Sequence, residues 1–283
     1  MSELKTAYQH CHRIAKQHYE NFPVASIFLP RRLRPAVTVI YCFARNADDL
    51  ADEGDISQEE RLSALDMMGE ELEKIQNKES SDDPVFIALA DVINKYEIPI
   101  EPFYDLLSAF RQDVTKTRYR DFGELMSYCR RSANPVGRIL LYLYSEANER
   151  NIALSDGICS ALQLINFLQD IEQDYRENNR IYLPLEEMQK YHVTEMHIRN
   201  RLSDYSVKRL LDFQIERARK MLKAGAPLAT QLGGRIGFEL KLIIFGGTRI
   251  LYRLHNQDGS YFSRPRLRTR DKAWVLWRSL FPK

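Results

Sequence analysis

The spacing of apolar residues along the chain predicts a protein built from helices. Apolar positions recur at three- and four-residue intervals, which is typical of amphipathic helices, and no alternating run is long enough to build a sheet. Turn-forming residues such as Pro23, Gly54 and Pro84 separate the periodic segments. We therefore predict an all-α fold whose helices span roughly 4–20, 35–53, 58–76, 84–95, 101–112, 121–130, 135–149, 155–175, 204–230 and 235–254.

The composition is that of an ordinary globular protein. Of the 283 residues, 44% are hydrophobic and 28% are charged, and no stretch is long and polar enough to link two domains. We predict one domain over residues 1–283. The net charge of +2 argues neither for nor against nucleic acid, and we expect no nucleic-acid partner. The four cysteines form no C-x-x-C pair, which favours reduced thiols in a cytoplasmic protein.

The two ends of the chain bear on membrane contact. The first residues lack the apolar core of a signal peptide, and apolar runs such as 139–144 and 242–245 are far shorter than the roughly 20 residues of a membrane-spanning helix. The segment 249–283 is basic and contains Trp274, Trp277 and Phe281. It is either a solvated basic surface over two core tryptophans or a surface that contacts an anionic membrane or ligand.

An acidic cluster with a nearby arginine lies in one predicted helix. Tyr41, Arg45, Asp48 and Asp52 follow a 4-3-4 spacing, which places them on one stripe, and Asp49 lies beside it. Carboxylates this close repel each other unless a cation joins them. Arginine binds phosphate oxygens, and carboxylates bind the magnesium that bridges those oxygens, so the stripe fits a diphosphate site. A solvated acidic face explains this cluster equally well.

A second cluster repeats this logic in a more apolar setting. Asn166, Asp170 and Asp174 recur every four residues, and Gln169 lies one step aside. The apolar neighbours make a solvated acidic face the weaker interpretation here. Two such clusters facing each other would hold magnesium together with the phosphates of a substrate. The many tyrosines and phenylalanines suit an apolar tunnel for a prenyl chain, although core packing explains most of them.

Other cofactor sites find no support in the sequence. The six histidines form no metal-binding pattern, and we interpret them as surface or structural residues. The glycine-rich run from Gly233 to Gly237 has no strand before it, so it does not fit a Rossmann or P-loop site. We expect no nicotinamide cofactor.

The order of these motifs resembles that of the squalene/phytoene synthase family of trans-isoprenoid synthases. The similarity runs from about Phe22 to Arg266 and includes the motif Arg180-Ile-Tyr-Leu-Pro. It implies a single-domain helical bundle around a central apolar cavity, Mg²⁺ as cofactor and prenyl diphosphates as substrates. By this resemblance, Asp48, Asp52, Asp170 and Asp174 would bind magnesium, and Ser26, Tyr41, Arg45, Asn166 and Gln169 would line the diphosphate pocket.

A finer likeness points to the hydroxysqualene synthase branch of bacterial hopanoid pathways. The run Arg131-Ser-Ala-Asn-Pro-Val-Gly places Asn134 and Pro135 where most family members carry a different sequence. The branch implies presqualene diphosphate as substrate and water, rather than hydride, as the final nucleophile. Tyr128 would lie near the reacting carbons, and Asn134 either seats the water or breaks the helix. We expect a cytoplasmic enzyme in peripheral contact with the inner membrane surface and with other enzymes of its pathway.

Three rival functions remain open. A sibling enzyme would join two farnesyl diphosphates head to head, to presqualene diphosphate, squalene or phytoene. A head-to-tail chain elongator also fits Asp48-Asp-x-x-Asp52, although its second motif usually begins with a double aspartate and this chain has Gln169-Asp170. A helical assembly or binding protein would keep the fold without catalysis, but the intact carboxylates of both motifs argue against it.

Overall fold

A computed structural model of the chain describes residues 3–17, 29–52, 54, 56–257 and 260–281. Within these ranges the chain is helical and carries no strand, and an isolated parallel bridge joins Arg118 to Ile181. The predicted all-α class is confirmed. In chain order the helices are α1 (Glu3–Gln17), α2 (Arg34–Asp52), α3 (Gln58–Gln76), α4 (Pro84–Tyr96), α5 (Glu101–Thr115), α6 (Phe122–Ser132), α7 (Asn134–Leu143), α8 (Glu149–Gln169), α9 (Ile171–Asn178), α10 (Leu185–Lys190), α11 (Glu195–Arg199), α12 (Tyr205–Gly225), α13 (Leu228–Leu232), α14 (Gly234–His255) and α15 (Thr269–Leu280).

The chain folds into two compact units. Residues 1–115 and 135–148 make the first unit, which includes α7 from Pro135 onward, and residues 116–134 and 149–283 make the second. The prediction of a single domain over residues 1–283 stays a prediction.

Several helices begin where a side chain caps the first turn. At the start of α3, the Glu60 main-chain N–H donates to the Ser57 hydroxyl at 3.2 Å, and the Ser57 N–H donates to the Glu60 carboxylate at 2.7 Å. Asp83 caps α4 and precedes Pro84, whose fixed φ suits the first helical turn. Each such cap is worth about 1 kcal/mol, so these boundaries follow from local sequence.

The core of the first unit is centred on α2. Its buried face carries Val39, Phe43 and Ala47 and packs against α1, α3, α4 and α5. The Phe43 ring meets Phe86 and Phe103 edge-on, with centroid separations of 6.0 and 5.5 Å. This packing fixes the rotation of α2 about its axis and so decides which of its side chains face away from the core.

The core of the second unit is the contact between α8 and α12. The two helices approach so closely at Gly225 that an added Cβ would stand 2.5 Å from Ile158 Cγ1 and 2.7 Å from the Leu154 carbonyl oxygen. Helices α6 and α14 also pack on α8, and α15 packs on α14. Among the described helices α8 has the length and apolar composition to cross a membrane, but half of that apolar window is buried inside the protein, as expected for a core helix.

Two long predicted helices are interrupted in the structure. The helix predicted over 155–175 begins earlier, at Glu149, and breaks at Asp170 between α8 and α9. The helix predicted over 204–230 breaks at Pro227, because proline lacks the main-chain N–H of a continuing helix, and resumes as α13. The helix predicted over 135–149 ends at Leu143, before Ser145 takes a left-handed φ of 60°. Helices α10, α11 and α15 lie outside the predicted spans.

Candidate functional site

The first acidic cluster lies on the opposite side of α2 from the core residue Phe43. Tyr41, Arg45, Asp48 and Asp52 follow one another along a continuous helix, as their spacing predicts. Asp48 is partly exposed and Asp52 is exposed. The stripe is therefore reachable by a ligand.

Arg45 holds two carboxylates of this cluster. Its Nη1 donates to Asp48 Oδ2 at 2.8 Å, and its Nη2 lies 2.5 Å from Asp49 Oδ1. The Arg45 side chain is only 17% exposed, so these charges meet in a partly dehydrated setting where each depends on its partner. The guanidinium thus supplies the positive charge that the clustered carboxylates require.

The position of the first cluster on α2 adds to its negative potential. Its aspartates occupy the last turns of the helix, at the negative end of the helix dipole, and no basic residue lies in that last turn. Arg61 of α3 offsets part of this charge by donating to the carbonyl oxygens of Leu50 at 3.0 Å and Gly54 at 2.6 Å. Acids at this end of a helix typically cost about 0.3–1 kcal/mol each, which favours a role in binding cations over a structural one.

Besides Arg45, the predicted diphosphate pocket takes Tyr41 and Ser26 from this part of the sequence. Burial raises the pKa of the Tyr41 phenol, although the neighbouring Arg45 acts in the opposite direction. Tyr41 is therefore a neutral hydrogen-bonding group at neutral pH. Ser26 lies outside the described residues.

The second acidic cluster lies at a kink rather than on a straight helix. Helix α8 ends at Gln169, and Asp170 adopts φ −110° and ψ 13° immediately before α9. The kink preserves the four-residue hydrogen bonds, since the Asp170 N–H donates to the Asn166 carbonyl at 3.0 Å and the Asp174 N–H donates to the Asp170 carbonyl at 2.8 Å. Asp170 and Asp174 therefore remain neighbours, as predicted, although the helix between them is broken.

Burial and mutual repulsion give this cluster a need for positive charge. Burial raises the pKa of Asp170, and Arg264, whose Nε lies 2.6 Å from Asp170 Oδ1, counteracts part of that effect. Burial and the charge of Asp170 together raise the pKa of Asp174 to about 7, against the opposing influence of Arg180 and Arg264. A cation bound between the two carboxylates would keep both of them ionised at neutral pH.

The other predicted residues of the second cluster differ in their surroundings. Asn166 is exposed in spite of the apolar stretch around it, so a ligand can reach it. The Gln169 side chain is engaged within the protein, because its Nε2 donates to the Pro265 carbonyl at 2.8 Å. Gln169 and Asp170 together hold the segment of Arg264 and Pro265 against the kink.

Four aromatic rings, which we call the aromatic cluster, pack next to the second acidic cluster. Phe167, three residues before Asp170, stacks on Tyr182 with centroids 3.8 Å apart and planes inclined by 8°. Tyr128, the predicted neighbour of the reacting carbons, is buried and stacks with Tyr182 at 5.9 Å. Tyr119 completes the cluster, with its ring centroid 5.5 Å from those of Tyr128 and Tyr182.

A pairing between two loops positions the aromatic cluster. The Ile181 N–H donates to the Thr117 carbonyl at 2.9 Å, and the Leu185 N–H donates to the Tyr119 carbonyl at 2.9 Å. Asn179 turns the chain into this pairing by ending α9 in the left-handed conformation, with φ 49°, which asparagine tolerates better than most residues. The rings of Tyr119 and Tyr182 meet because their loops are paired.

Asn134 is buried at the start of α7. The Ser160 hydroxyl donates to its Oδ1 at 2.8 Å. Helix α6 ends at Ser132 and α7 begins at Asn134, so the helix break that the sequence predicts here is present. The contact of Asn134 with a reacting water stays a prediction.

The predicted metal ligands fit a hard divalent cation by their chemistry. All of them are carboxylates, the ligand type that magnesium prefers. Across the ranges that the structure describes, no three acidic, histidine or cysteine side chains stand close enough to hold a metal ion. Guanidinium groups hold Asp48, Asp49 and Asp170 instead. Magnesium binding by the four aspartates therefore stays a prediction.

Sequence reasoning overlooked several residues of this region. In the sequence, Arg264 is one of several basic residues of the segment 249–283. Its contact with Asp170 is visible only in the structure. Arg180 and Tyr182 lie in the motif Arg180-Ile-Tyr-Leu-Pro that carries the family resemblance, and that motif is the signal that could have identified them. Tyr119 carries no comparable signal.

Comparisons with known proteins agree with this architecture. A model of the squalene/phytoene synthase family matches residues 15–272. The chain is 36% identical to a hydroxysqualene synthase from Rhodopseudomonas palustris over 248 residues, which are 87% of this chain and 83% of the relative. It is 32% identical to a phytoene synthase from Mycobacterium tuberculosis over 243 residues, 83% of this chain and 77% of the relative. The crystal structure of a squalene synthase from Alicyclobacillus acidocaldarius matches with a TM-score of 0.84 at 36% identity and covers 91% of this chain and 96% of that one.

Proposed function

Because the chain belongs to the squalene/phytoene synthase family of isoprenoid synthases, we propose that it converts presqualene diphosphate to hydroxysqualene. In this reaction the C–O bond to diphosphate ionises, the carbocation rearranges, and water captures it with loss of a proton. One observation carries the proposal: an arginine binds carboxylates in each acidic cluster, Arg45 at Asp48 and Arg264 at Asp170. A bound metal would take the carboxylates as ligands, and a diphosphate would accept hydrogen bonds from the arginines.

Magnesium is the proposed cofactor, held by Asp48, Asp52, Asp170 and Asp174. Bound Mg²⁺ would neutralise the charge that develops on the departing diphosphate. This role explains why acids stand at the negative end of α2 in the first cluster. It also explains why the second cluster tolerates a half-buried acid, Asp174, whose pKa is raised to about 7.

Arginines bind the diphosphate in the proposed mechanism. On substrate binding, the guanidinium groups of Arg45 and Arg264 turn from the carboxylates to phosphate oxygens, which frees the carboxylates for cations. Because these donors are in place before the C–O bond breaks, little reorganisation is needed as charge develops on the leaving oxygen. The proposed diphosphate pocket also includes Ser26, Tyr41, Asn166 and Gln169.

The aromatic cluster is suited to protect a carbocation. A π face of Tyr128, Phe167 or Tyr182 that no neighbouring ring covers would attract positive charge without offering a strong nucleophile. Tyr128 and Phe167 are buried, so this wall also excludes bulk water until the rearrangement is complete.

Asn134 is the proposed seat of the water that ends the reaction. The hydrogen bond from Ser160 fixes its amide in one orientation, as positioning a water requires. Replacing Asn134 by Gly and Pro135 by Val tests this role, and we expect the share of hydroxysqualene among the products to fall. An unchanged share of alcohol would show that these two residues do not direct water capture.

The experiment that tests the proposed function uses presqualene diphosphate and magnesium, without reductant, and identifies the products by mass spectrometry. We expect hydroxysqualene and released diphosphate, and no turnover when the magnesium is chelated. The phytoene synthase relative favours head-to-head condensation as a second candidate. Products from farnesyl or geranylgeranyl diphosphate, with none from presqualene diphosphate, would support that candidate and reject the first.

A further inference from the structure

A buried acid clamps the C-terminal helix α15 to α14. Asp271 is 1% exposed and accepts hydrogen bonds from Arg249 at 2.6 Å, from Arg253 at 2.7 Å and from the Arg268 main-chain N–H at 2.8 Å. Val275 continues the same buried face one turn further along α15. The inner face of α15 is therefore engaged, and the side chains on its other face point outward.

The outer face of α15 is apolar and exposed. Leu276, Trp277, Leu280 and Phe281, which we call the outer patch, are 46%, 51%, 56% and 61% exposed. The ring centroids of Trp277 and Phe281 lie 6.5 Å apart. Exposed apolar residues are ordinary when scattered, but clustered bulky ones indicate an interaction surface. The interpretation of both tryptophans as core residues is wrong for Trp277.

Exposed cations precede the outer patch along the chain. Arg266, Arg268, Arg270 and Lys272 are all exposed. Asp271 is the one acid in the sequence between residues 260 and 281, and its charge is taken up by Arg249 and Arg253. The segment therefore presents positive charge next to bulky apolar side chains.

We propose that the outer patch and these four cations form a docking surface for an anionic lipid bilayer. In this arrangement α15 lies in the membrane interface, with Trp277 and Phe281 among the upper acyl chains and the cations against lipid phosphates. A second copy of the chain could also bury the patch, but a symmetric contact would bring cationic borders together, which charge complementarity disfavours. The observed charge thus selects a lipid surface.

The docking segment begins at the candidate functional site. Arg264 binds Asp170, and Gln169 binds the Pro265 carbonyl, immediately before the exposed cations start. A cytoplasmic enzyme docked in this way would exchange a prenyl substrate and an oily product with the bilayer that dissolves them. This benefit depends on the proposed function, whereas the docking itself does not.

Trp277 serves as a probe of docking within the protein itself. The chain has two tryptophans, so Trp274→Phe leaves Trp277 as the single source of tryptophan fluorescence. We expect its emission to move to shorter wavelength with vesicles of phosphatidylglycerol and phosphatidylcholine, and brominated acyl chains to quench it. The shift should shrink strongly with phosphatidylcholine alone or at high salt, because charge attraction then weakens.

Two pairs of substitutions separate the apolar and cationic contributions. Trp277→Ser with Phe281→Ser removes bulky apolar contacts, and Arg270→Gln with Lys272→Gln removes two cations. We expect each pair to lower the vesicle partition coefficient, measured by co-sedimentation, by about tenfold or more. Far-UV circular dichroism and the thermal midpoint should show that both variants remain folded.

Matched controls lie outside α15. Met67 and Leu202 are 63% and 47% exposed, so replacing both by serine removes comparable apolar surface elsewhere. Lys220→Gln with Lys223→Gln removes two exposed cations of α12. Both control pairs should partition onto anionic vesicles as the unmodified chain does.

Several outcomes would overturn the docking proposal. One is partition that survives both test pairs, and another is equal partition onto neutral vesicles. A third is a Trp277 shift that needs no lipid and grows with protein concentration, with a dimer in analytical ultracentrifugation, which would assign the patch to a second copy. Turnover of detergent-dispersed substrate separates this proposal from the proposed function: docking variants should keep full activity there, whereas a wrong function would leave the unmodified chain inactive too.

Discussion

Asp170 and Asp174 illustrate how a residue's surroundings prepare it for cation binding. Burial makes ionisation of both carboxylates harder, and the charge of Asp170 adds to the effect at Asp174. An acid on a solvated face has its charge stabilised by water and needs no such partner. The arginines that approach this pair, Arg180 and Arg264, therefore meet a need that a solvated acidic face would not have. This requirement supports the proposal that the second cluster is a binding site.

We predict that Asp170→Asn lowers the turnover of presqualene diphosphate by about 10²–10³-fold. The variant loses a carboxylate that would hold the magnesium ion, and this ion would stabilise the departing diphosphate. The thermal midpoint should stay equal or rise, since a half-buried charge that repels Asp174 is removed. Initial rates and thermal unfolding check both parts. Glu149→Gln, which neutralises an exposed acid at the start of α8, is the matched control and should keep its activity. Near-normal turnover of Asp170→Asn would contradict the metal assignment.

We predict that Arg264→Gln raises the KM for the prenyl diphosphate by about 10–100-fold, the loss expected for a charged hydrogen bond to phosphate. Arg264→Lys should recover part of that loss, because lysine keeps the charge but not the forked donors. Steady-state kinetics measures both, and Arg130→Gln, an exposed cation of α6, serves as control. If KM and kcat of Arg264→Gln match those of the control, Arg264 has a structural role at Asp170 and no part in binding.

At the level of single residues, contacts within a helix could be predicted and contacts between distant segments could not. The 4-3-4 spacing places Arg45 beside Asp48 because the helix is regular over that range, and the structure has this pair. The contact of Arg264 with Asp170 depends on how a distant loop packs. The same holds for Gln169, whose predicted role in a diphosphate pocket gave no hint of its bond to the Pro265 carbonyl.

At the level of elements, the close approach of α8 and α12 depends on one glycine. We predict that Gly225→Ala destabilises the protein by about 1–3 kcal/mol, because the new Cβ would overlap Ile158 and the Leu154 carbonyl. Gly246→Ala in α14 is the control: its added Cβ meets nothing within 4 Å, so it should stabilise by about 0.5–1 kcal/mol. Urea unfolding measures both. Equal stabilities would mean that the two core helices separate without penalty.

The clamp between α14 and α15 should be sensitive to acid. Burial alone would raise the pKa of Asp271, but hydrogen bonds from Arg249, the Arg268 main chain and Arg253 outweigh it and lower that pKa to about 2. Because the unfolded pKa is about 3.9, the stabilisation is complete above that pH and is lost as the pH falls toward the folded pKa.

We therefore predict that hydrogen exchange of α15 amides, corrected for the intrinsic pH effect, accelerates as the pH falls from about 4 toward 2. Amides of the core helix α8 provide the internal reference. Asp271→Asn should remove this pH dependence and leave α15 in faster exchange at neutral pH. Protection of α15 that is the same at both ends of this range would contradict a role for the Asp271 charge.

Element boundaries could be predicted where one face of a helix is apolar and a cap is present. The starts of α3 and α4 follow from Ser57 and Asp83 in this way. Helix α15 has apolar residues on its inner and outer faces, so it shows no single stripe and periodicity does not reveal it. The break at Asp170 is also hidden, because it preserves the hydrogen-bond spacing of the helices around it.

At the level of the whole molecule, the two acidic clusters belong to different units. Asp48 and Asp52 lie on α2 of the first unit, and Asp170 and Asp174 lie at the kink of the second. The all-α class and the family follow from periodicity and motif order, and both are confirmed. That both clusters serve one substrate depends on packing between distant segments, which local pattern does not specify. Whether the two clusters bind one ligand can be tested by measuring how variants of each cluster change the binding free energy.

If both clusters bind one magnesium pyrophosphate, their contributions to its affinity must be coupled. A ligand at a hundred times its Kd stabilises the folded protein by about 2.7 kcal/mol, which a thermal shift can measure. We predict that Asp52→Asn and Asp174→Asn each remove most of this shift, and that the double variant loses little more. If each cluster bound its own ligand, each single variant would lose only its own part of the thermal shift. The loss in the double variant would then equal the sum of the two single losses.

The control for this cycle neutralises one exposed acid in each unit outside the clusters. Glu70→Gln with Glu149→Gln changes the net charge by the same amount as the double variant and should keep the full thermal shift. The comparison removes the general effect of charge on binding an anion, so a loss confined to Asp52 and Asp174 reports the clusters themselves. Additive losses in the single and double variants would contradict a shared ligand, because only groups that act on the same bound species lose their effect together.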